Sequence, residues 1–384
     1  MSPLLTDWMV AMEELKFMIP CLMGLEKIVA DELKRLNMRE VRASNGHVTC
    51  VGGMADIPRL NLWLRCGARV LLVLAEFDAR TFEELFQGVK AIDWEDWIAQ
   101  DGEFPVKGYS ISSLLHSVPA CQSIVKKAVS QHLSEQYGME WLPETGCRTQ
   151  IQFSILKDHV TVALDTSGEG LYKRGYRAVG VEAPLRETLA AALVILSRYK
   201  GLDPFRDPFC GSGTIAIEAA LIAKNRAPGL NRSFAAQKWD VIPADYWMDA
   251  VEEAMDREFH GSYDIWGGDI DPHAVEIARA NAVKAEVEDV VRFDVANAMD
   301  FRAEGQYGRL VTNPPYGERL LEKQEAGALY RQFGQVVRRM PPDWRVSILS
   351  SHTEFEDCLG LKAVKKRKLY NGMLKCDMFM YGKV

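Results

Sequence analysis

The chain has 384 residues, more than one average domain, so two or three are expected. Its 48% apolar and 26% charged residues are ordinary for a globular protein in water, and no apolar run approaches the ~18 residues needed to span a bilayer. A net charge of −7 excludes attraction of nucleic acid by the overall field, so any such binding must use local basic patches.

Eight cysteines, at 21, 50, 66, 121, 147, 210, 358 and 376, form no Cys-x-x-Cys pair, and the seven histidines have no ligand spacing. Neither a disulfide framework nor a metal site is expected, and the reducing cytoplasm is the simplest location. The N-terminus carries Asp7, Glu13 and Glu14 and lacks a basic start followed by an apolar core, so no signal peptide is read.

Residues 1–15 read as a poorly ordered lead-in. In residues 16–75, Phe17–Pro20, His47–Val51 and Val70–Leu74 read as strands, and Gly24–Leu36 and Ile57–Leu64 as helices. That β-α-β-α-β order is what a ferredoxin-like unit gives. Residues 76–165 read as a second α+β unit. Its helices are Phe82–Ala91, Trp94–Ala99 and Ser123–Gln136, the last carrying Lys126 and Lys127. Glu103–Val106 reads as a strand, and Ile151–Leu156 with His159–Leu164 as a hairpin. Residues 166–183 read as a linker, with Lys173, Arg174 and Arg177 in a glycine-containing junction.

From 184 to 384 helical and apolar-strand patterns alternate. Helices are read at Leu185–Ser197, Thr214–Lys224, His273–Val283 and Ala328–Arg339. Strands are read at Phe205–Phe209, Asp264–Asp269, Val290–Phe293, Arg309–Val311 and Val346–Leu349. Val364–Tyr370 and Met373–Tyr381 flank Asn371-Gly372, a strong hairpin signal. The fold class is therefore α/β: a Rossmann-like, mostly parallel seven-stranded sheet with an antiparallel terminal hairpin, preceded by an α+β region.

Two stretches carry the chemistry. Asp207-Pro208-Phe-Cys-Gly211-Ser-Gly213-Thr214 is a strand end, a glycine loop and a helix start. It lacks the third glycine of a dinucleotide fingerprint and the Lys-Ser/Thr of a P-loop, and its acid would repel phosphate. A sulfonium, an ammonium and a ribose suit it, which points to S-adenosylmethionine; a glycine turn for tight packing is the plainer alternative. Asp269 ends the next strand as a ribose-diol acceptor, whereas Asp271-Pro272 largely caps the following helix. Asn297-Ala298 after the third strand could pair with an adenine edge or be a polar loop.

The second stretch is Asn313-Pro314-Pro315-Tyr316, where two prolines stop a strand in a stiff turn. The Asn313 side-chain oxygen and the Pro314 carbonyl can accept both hydrogens of an exocyclic amine. That would aim the nitrogen lone pair at a methyl sulfonium, with Tyr316 stacked on the base. The turn does not distinguish guanine from adenine. Basic residues Lys126, Lys127, Lys173, Arg174, Arg177, Lys365, Lys366 and Arg367 are the candidate phosphate contacts. For those of the terminal hairpin, a solvated edge strand is the alternative.

These motifs resemble class I S-adenosylmethionine-dependent methyltransferases of exocyclic amines. Leu171–Arg177, Ala183–Thr188, Ala227–Phe234, Asn313–Arg319 and Ser117–Lys127 together resemble the bacterial RlmL/YpsC-like family of THUMP-domain RNA methyltransferases. The resemblance implies a ferredoxin-like part, a THUMP module for folded RNA and a catalytic Rossmann-like domain. It also implies N2-methylation of a guanine in large-subunit ribosomal RNA. Some members carry a second methyltransferase domain, which is not expected here. A transfer-RNA guanine, an adenine N6 of DNA or RNA, and a non-catalytic RNA assembly role are the alternatives. A monomer or weak dimer is expected.

Overall fold

The computed structural model of the chain describes residues 14–177, 185–316 and 320–382. Residues 1–13 of the lead-in, 178–183 of the linker, Ala183-Pro184 of one quoted block and Gly317-Glu318-Arg319 of another lie outside the described residues. Within them, no helix is long and apolar enough to cross a membrane.

Two seven-stranded sheets organise the chain. The first contains β1 (Leu15–Pro20), β2 (Arg39–Ser44), β3 (His47–Gly52), β4 (Leu71–Asp78), β5 (Val106–Ile111), β6 (Ile151–Leu156) and β7 (His159–Asp165). Their order is β2-β3-β1-β4-β7-β6-β5. Helices α1 (Glu26–Arg35), α2 (Asp56–Trp63), α3 (Phe82–Lys90) and α4 (Val118–Tyr137) accompany it. Strand β4 pairs with β1 through its first residues and with β7 along its length, bulging between Val73 and Ala75. Both N-terminal units therefore share one hydrogen-bonded sheet.

Strand β2 has no counterpart in the sequence reading. Only Val41 among its residues is half-buried, so a polar edge strand leaves no apolar alternation to read. Strand β5 starts at Val106 instead of ending there, because Pro105 offers no N–H to the ladder. Gly108 within it is obligatory, since a Cβ there would lie 2.4 Å from the Phe153 carbonyl oxygen. The expected helix at Trp94–Ala99 is a single 3-10 turn, Trp94–Asp96.

The second sheet contains β8 (Phe205–Asp207), β9 (Ile265–Asp269), β10 (Val291–Val295), β11 (Tyr307–Thr312), β12 (Asp343–Ser350), β13 (Lys365–Asn371) and β14 (Leu374–Tyr381). Its order is β10-β9-β8-β11-β12-β14-β13, parallel from β10 through β12, with β14 antiparallel to both neighbours. Helices α5 (Glu187–Leu196), α6 (Thr214–Ala223), α7 (Ala244–Asp256), α8 (Pro272–Lys284), α9 (Leu320–Arg338) and α10 (Phe355–Leu359) complete it. Strand order reverses between β8 and β11, which opens a crevice at their carboxyl ends. Pro208 ends β8 at Asp207, so the acid sits on that edge.

The loop ahead of α7 ties the two sheets together. Gly229 N–H donates to the Leu62 carbonyl, and Ala236 N–H to that of Thr166. Arg232 donates to four backbone carbonyls, those of Ser167, Glu169, Gly170 and Lys173. Gly175 closes this clamp at φ +96°, with the Asn231 carbonyl oxygen 2.1 Å from where a Cβ would stand. Gly175→Ala is expected to lower unfolding stability by about 2–4 kcal/mol, measured as a shift in denaturant midpoint.

Candidate active site

A cleft of about 460 Å³ opens at the carboxyl ends of β8, β9 and β11. The loop after β8 (Pro208, Phe209, Gly211) forms one wall, and Asp269 at the end of β9 with Asn297 and Ala298 beyond β10 another. Asn313, Pro314, Pro315 and Tyr316 face them across the cleft. Both stretches singled out in the sequence thus meet in one cavity.

Asp207 lies beneath it, 1% exposed. Its Oδ1 accepts from the Thr312 hydroxyl at 2.6 Å and the Phe209 N–H at 3.3 Å, while Oδ2 has no partner among the described residues. Burial pushes its carboxyl up to about 7, and the nearby Asp269 adds to the rise. Asp269 is held by N–H donors on both oxygens: Gly211 at 2.9 Å and Asp271 at 3.0 Å. Gly211 sits at φ +51°, and a Cβ there would meet nothing within 4 Å. An acid with an unanswered oxygen, a second acid at a strand end and a glycine opening onto free space fit a cationic, ribose-bearing ligand such as S-adenosylmethionine.

Other candidates are placed elsewhere. Gly213 does not line the cleft: a Cβ there would stand 2.8 Å from the Phe293 ring, so this glycine serves packing. Asp271 caps α8 through the His273 N–H at 2.9 Å. Asn297 caps the short turn Ala298–Asp300 through the Met299 N–H at 3.0 Å while lining the cleft. Thr214 is buried, and its hydroxyl accepts from Arg177 at 2.9 Å.

The amine-gripping turn holds itself in a defined way. The Tyr330 hydroxyl donates to the Pro315 carbonyl at 2.6 Å, and no described residue donates to that of Pro314. The Tyr316 hydroxyl donates to Asn313 Oδ1, and burial raises its phenol far above the ordinary range. The expected stacking role for Tyr316 therefore requires its hydroxyl to release Asn313. Sequence reasoning missed Phe209, Ile270, Met299, Leu329 and Asn371 as lining residues. Ile270, 70% exposed beside Asp269, had a readable signal: a large apolar residue stranded between two acids.

The basic candidates divide. Arg174 is corrected: it does not present a phosphate contact, whereas Arg177 is part-exposed and bonded within the protein. Arg174 is 2% exposed, pairs with Glu218 of α6 at 3.3 Å and donates to backbone carbonyls of Leu64, Arg65 and Leu171. Arg177 bonds Thr214 and the Leu185 carbonyl, and its Nη1 lies 3.6 Å from Glu187. Both brace the helix that follows the glycine loop. The lone Glu218 within the apolar run Thr214–Ala223 was the sequence signal for such a partner. Lys126 pairs with Glu144 at 2.5 Å and lies over the Phe104 ring, and Lys127 lies over Phe86. Lys173 pairs with Glu169, Lys366 with Glu356, and Arg367 donates to the Gly24 carbonyl; Lys365 is exposed. Arg177→Ala is expected to weaken S-adenosylmethionine binding about tenfold by releasing Thr214, with RNA affinity unchanged, as titration of each ligand would report.

The RMKL-like methyltransferase domain family matches residues 174–379, the RlmL ferredoxin-like domain 16–71 and the THUMP domain 79–165. The candidate RNA methyltransferase YpsC of Bacillus subtilis (strain 168) is 45% identical over 365 residues, 94% of each chain. A Listeria monocytogenes protein predicted to be an N6-adenine-specific DNA methylase is 46% identical, with a TM-score of 0.93 over 98% of each chain. The structure of SMU.472, a candidate methyltransferase complexed with SAH, is 41% identical, with a TM-score of 0.91 over 97% of this chain and 99% of that one.

Proposed function

The chain belongs to the RMKL-like methyltransferase family, and from that premise we propose that it methylates the exocyclic N2 amine of a guanine in large-subunit ribosomal RNA, in the cytoplasm. S-adenosylmethionine is the methyl donor of this class, and it supplies an electrophilic methyl on a sulfonium. The observation that carries the reading is the meeting of Asn313–Tyr316 with Gly211 and Asp269 around one cleft, with the buried Asp207 next to its lining residue Pro208.

Each residue then has a task. Asp207 and Asp269 favour the donor's cationic and hydroxyl groups, and Gly211 lets its backbone approach. Asn313 Oδ1 and the Pro314 carbonyl accept the two amine hydrogens, which draws the nitrogen out of conjugation and orients its lone pair. Alignment and fixed dipoles suffice, with no strong base. The THUMP match and the RNA assignment of the Bacillus relative favour RNA as the bearer of the base. A base within folded RNA must be unstacked to enter the cleft.

Mass-spectrometric mapping of ribosomal and transfer RNA from cells lacking the protein tests this. Loss of one N2-methylguanine from large-subunit RNA is expected. Loss of a transfer-RNA guanine or of an N6-methyladenine would move the assignment to that substrate, and unchanged RNA would remove it.

A further inference from the structure

A second and larger cavity, about 660 Å³, lies where α1, α2, α5, α6 and α7 end. Helix α5 leads into β8, so this cavity is at the edge where the strands begin, opposite the cleft. Nothing in the proposed methyl transfer uses it.

Its charge is lopsided. Five cations line it, against one acid, Glu32, which is buried and bonded to the Cys66 N–H. Cations at helix carboxyl ends often answer the helix dipole, and Arg65 does so by donating to the Leu221 and Arg226 carbonyls. Arg35, Arg198 and Lys200 are exposed, and their side chains bond nothing among the described residues. The walls add flat apolar surface and unanswered donors. Trp63 and Arg65 are each 9% exposed, yet Trp63 Nε1 and Arg65 Nη1 have no partner among the described residues, and Phe259 stands 59% exposed at the rim. Free cations beside aromatic surface and unpaired buried donors are the chemistry of a phosphorylated base.

We propose that this cavity binds a nucleotide unit, with phosphate on Arg35, Arg198 and Lys200 and the base on the exposed ring of Phe259, beside Arg257, which lies over the Trp63 ring. A free nucleotide and a nucleotide within an RNA strand offer the same groups. Fluorescence-anisotropy titration of the full chain with labelled GTP and, separately, a labelled single-stranded oligouridylate tells them apart. Arg35→Glu/Lys200→Glu should weaken the bound probe at least about tenfold, while Lys107→Glu, exposed on β5 of the first sheet, should not. Binding of GTP lost in the double variant identifies a free-nucleotide site. Binding of the oligonucleotide alone, lost in the same way, identifies a stretch of RNA. No saturable binding of either probe, or equal affinity in the double variant, overturns the proposal. S-adenosylmethionine affinity measured on the same samples reports folding and the active site, so failure here leaves the methyltransferase reading standing.

Discussion

Asn313→Ala is expected to lower the methyl-transfer rate on the cognate RNA by about 10³-fold or more while leaving S-adenosylmethionine affinity within about twofold of wild type. Removing the carboxamide deletes one of the two acceptors that hold the amine, and an amine left free to rotate keeps its lone pair in the ring. The donor's side of the cleft is built by Asp207, Gly211 and Asp269, none of which Asn313 bonds. Single-turnover transfer of labelled methyl and calorimetric titration of the donor separate the two effects. Wild-type transfer by this variant would refute the alignment argument. Tyr316→Phe is the companion test. It removes the hydroxyl that occupies Asn313 Oδ1 and keeps the ring. Transfer within about threefold of wild type is expected, because Asn313 then needs no release and stacking survives.

The reach of the sequence depended on what kind of physics an element obeys. Proline and glycine act locally, so the Asn313–Pro315 turn and the Asn371-Gly372 hairpin were readable, and Gly372 does adopt φ +63°, although the strand read as Phe205–Phe209 stops at Asp207, before Pro208. The cap role of Asp271 was readable for the same reason. Elements fixed by distant partners were not. Strand β2 has almost no buried face and exists because β3 offers it a ladder. Arg174 and Arg177 look like solvated charges in a glycine-rich junction, and only Glu218, Glu187 and Thr214, brought in by α5 and α6, bury the first and engage the second. Arg232 likewise became a clamp only once the 167–173 backbone lay across it. In the cleft, Pro208, Gly211 and Asn313–Tyr316 follow from local turn chemistry, whereas Leu329 and Asn371 arrive on α9 and the far hairpin.

Asp207 should make donor affinity depend on pH. Its carboxyl is nearly solvent-free and pushed up to about 7, chiefly by burial, so near neutrality a large fraction holds its proton. A cationic ligand against the unpartnered Oδ2 favours the carboxylate. Binding below pH ~7 must then release a proton, and affinity should fall about tenfold per pH unit as the solution is acidified from there. Above about pH 7 it should level off. The sign for folding is opposite. Since the folded pKa exceeds the unfolded value of ~3.9, the carboxyl's contribution to stability is fully present below that value and lost as pH rises through about 7. The ligand-free protein should therefore lose stability from this group over the interval in which it gains affinity. Asp207→Asn separates the two. The amide can still accept from Thr312, carries no charge to desolvate and cannot answer a cation. It should bind the donor at least about tenfold more weakly at pH 8, with a flat pH profile, and should be no less stable than wild type at that pH. Calorimetry in two buffers of different ionisation enthalpy counts the released proton directly. A pH-independent affinity in the wild type, or an unchanged slope in Asp207→Asn, would place the donor's charge elsewhere.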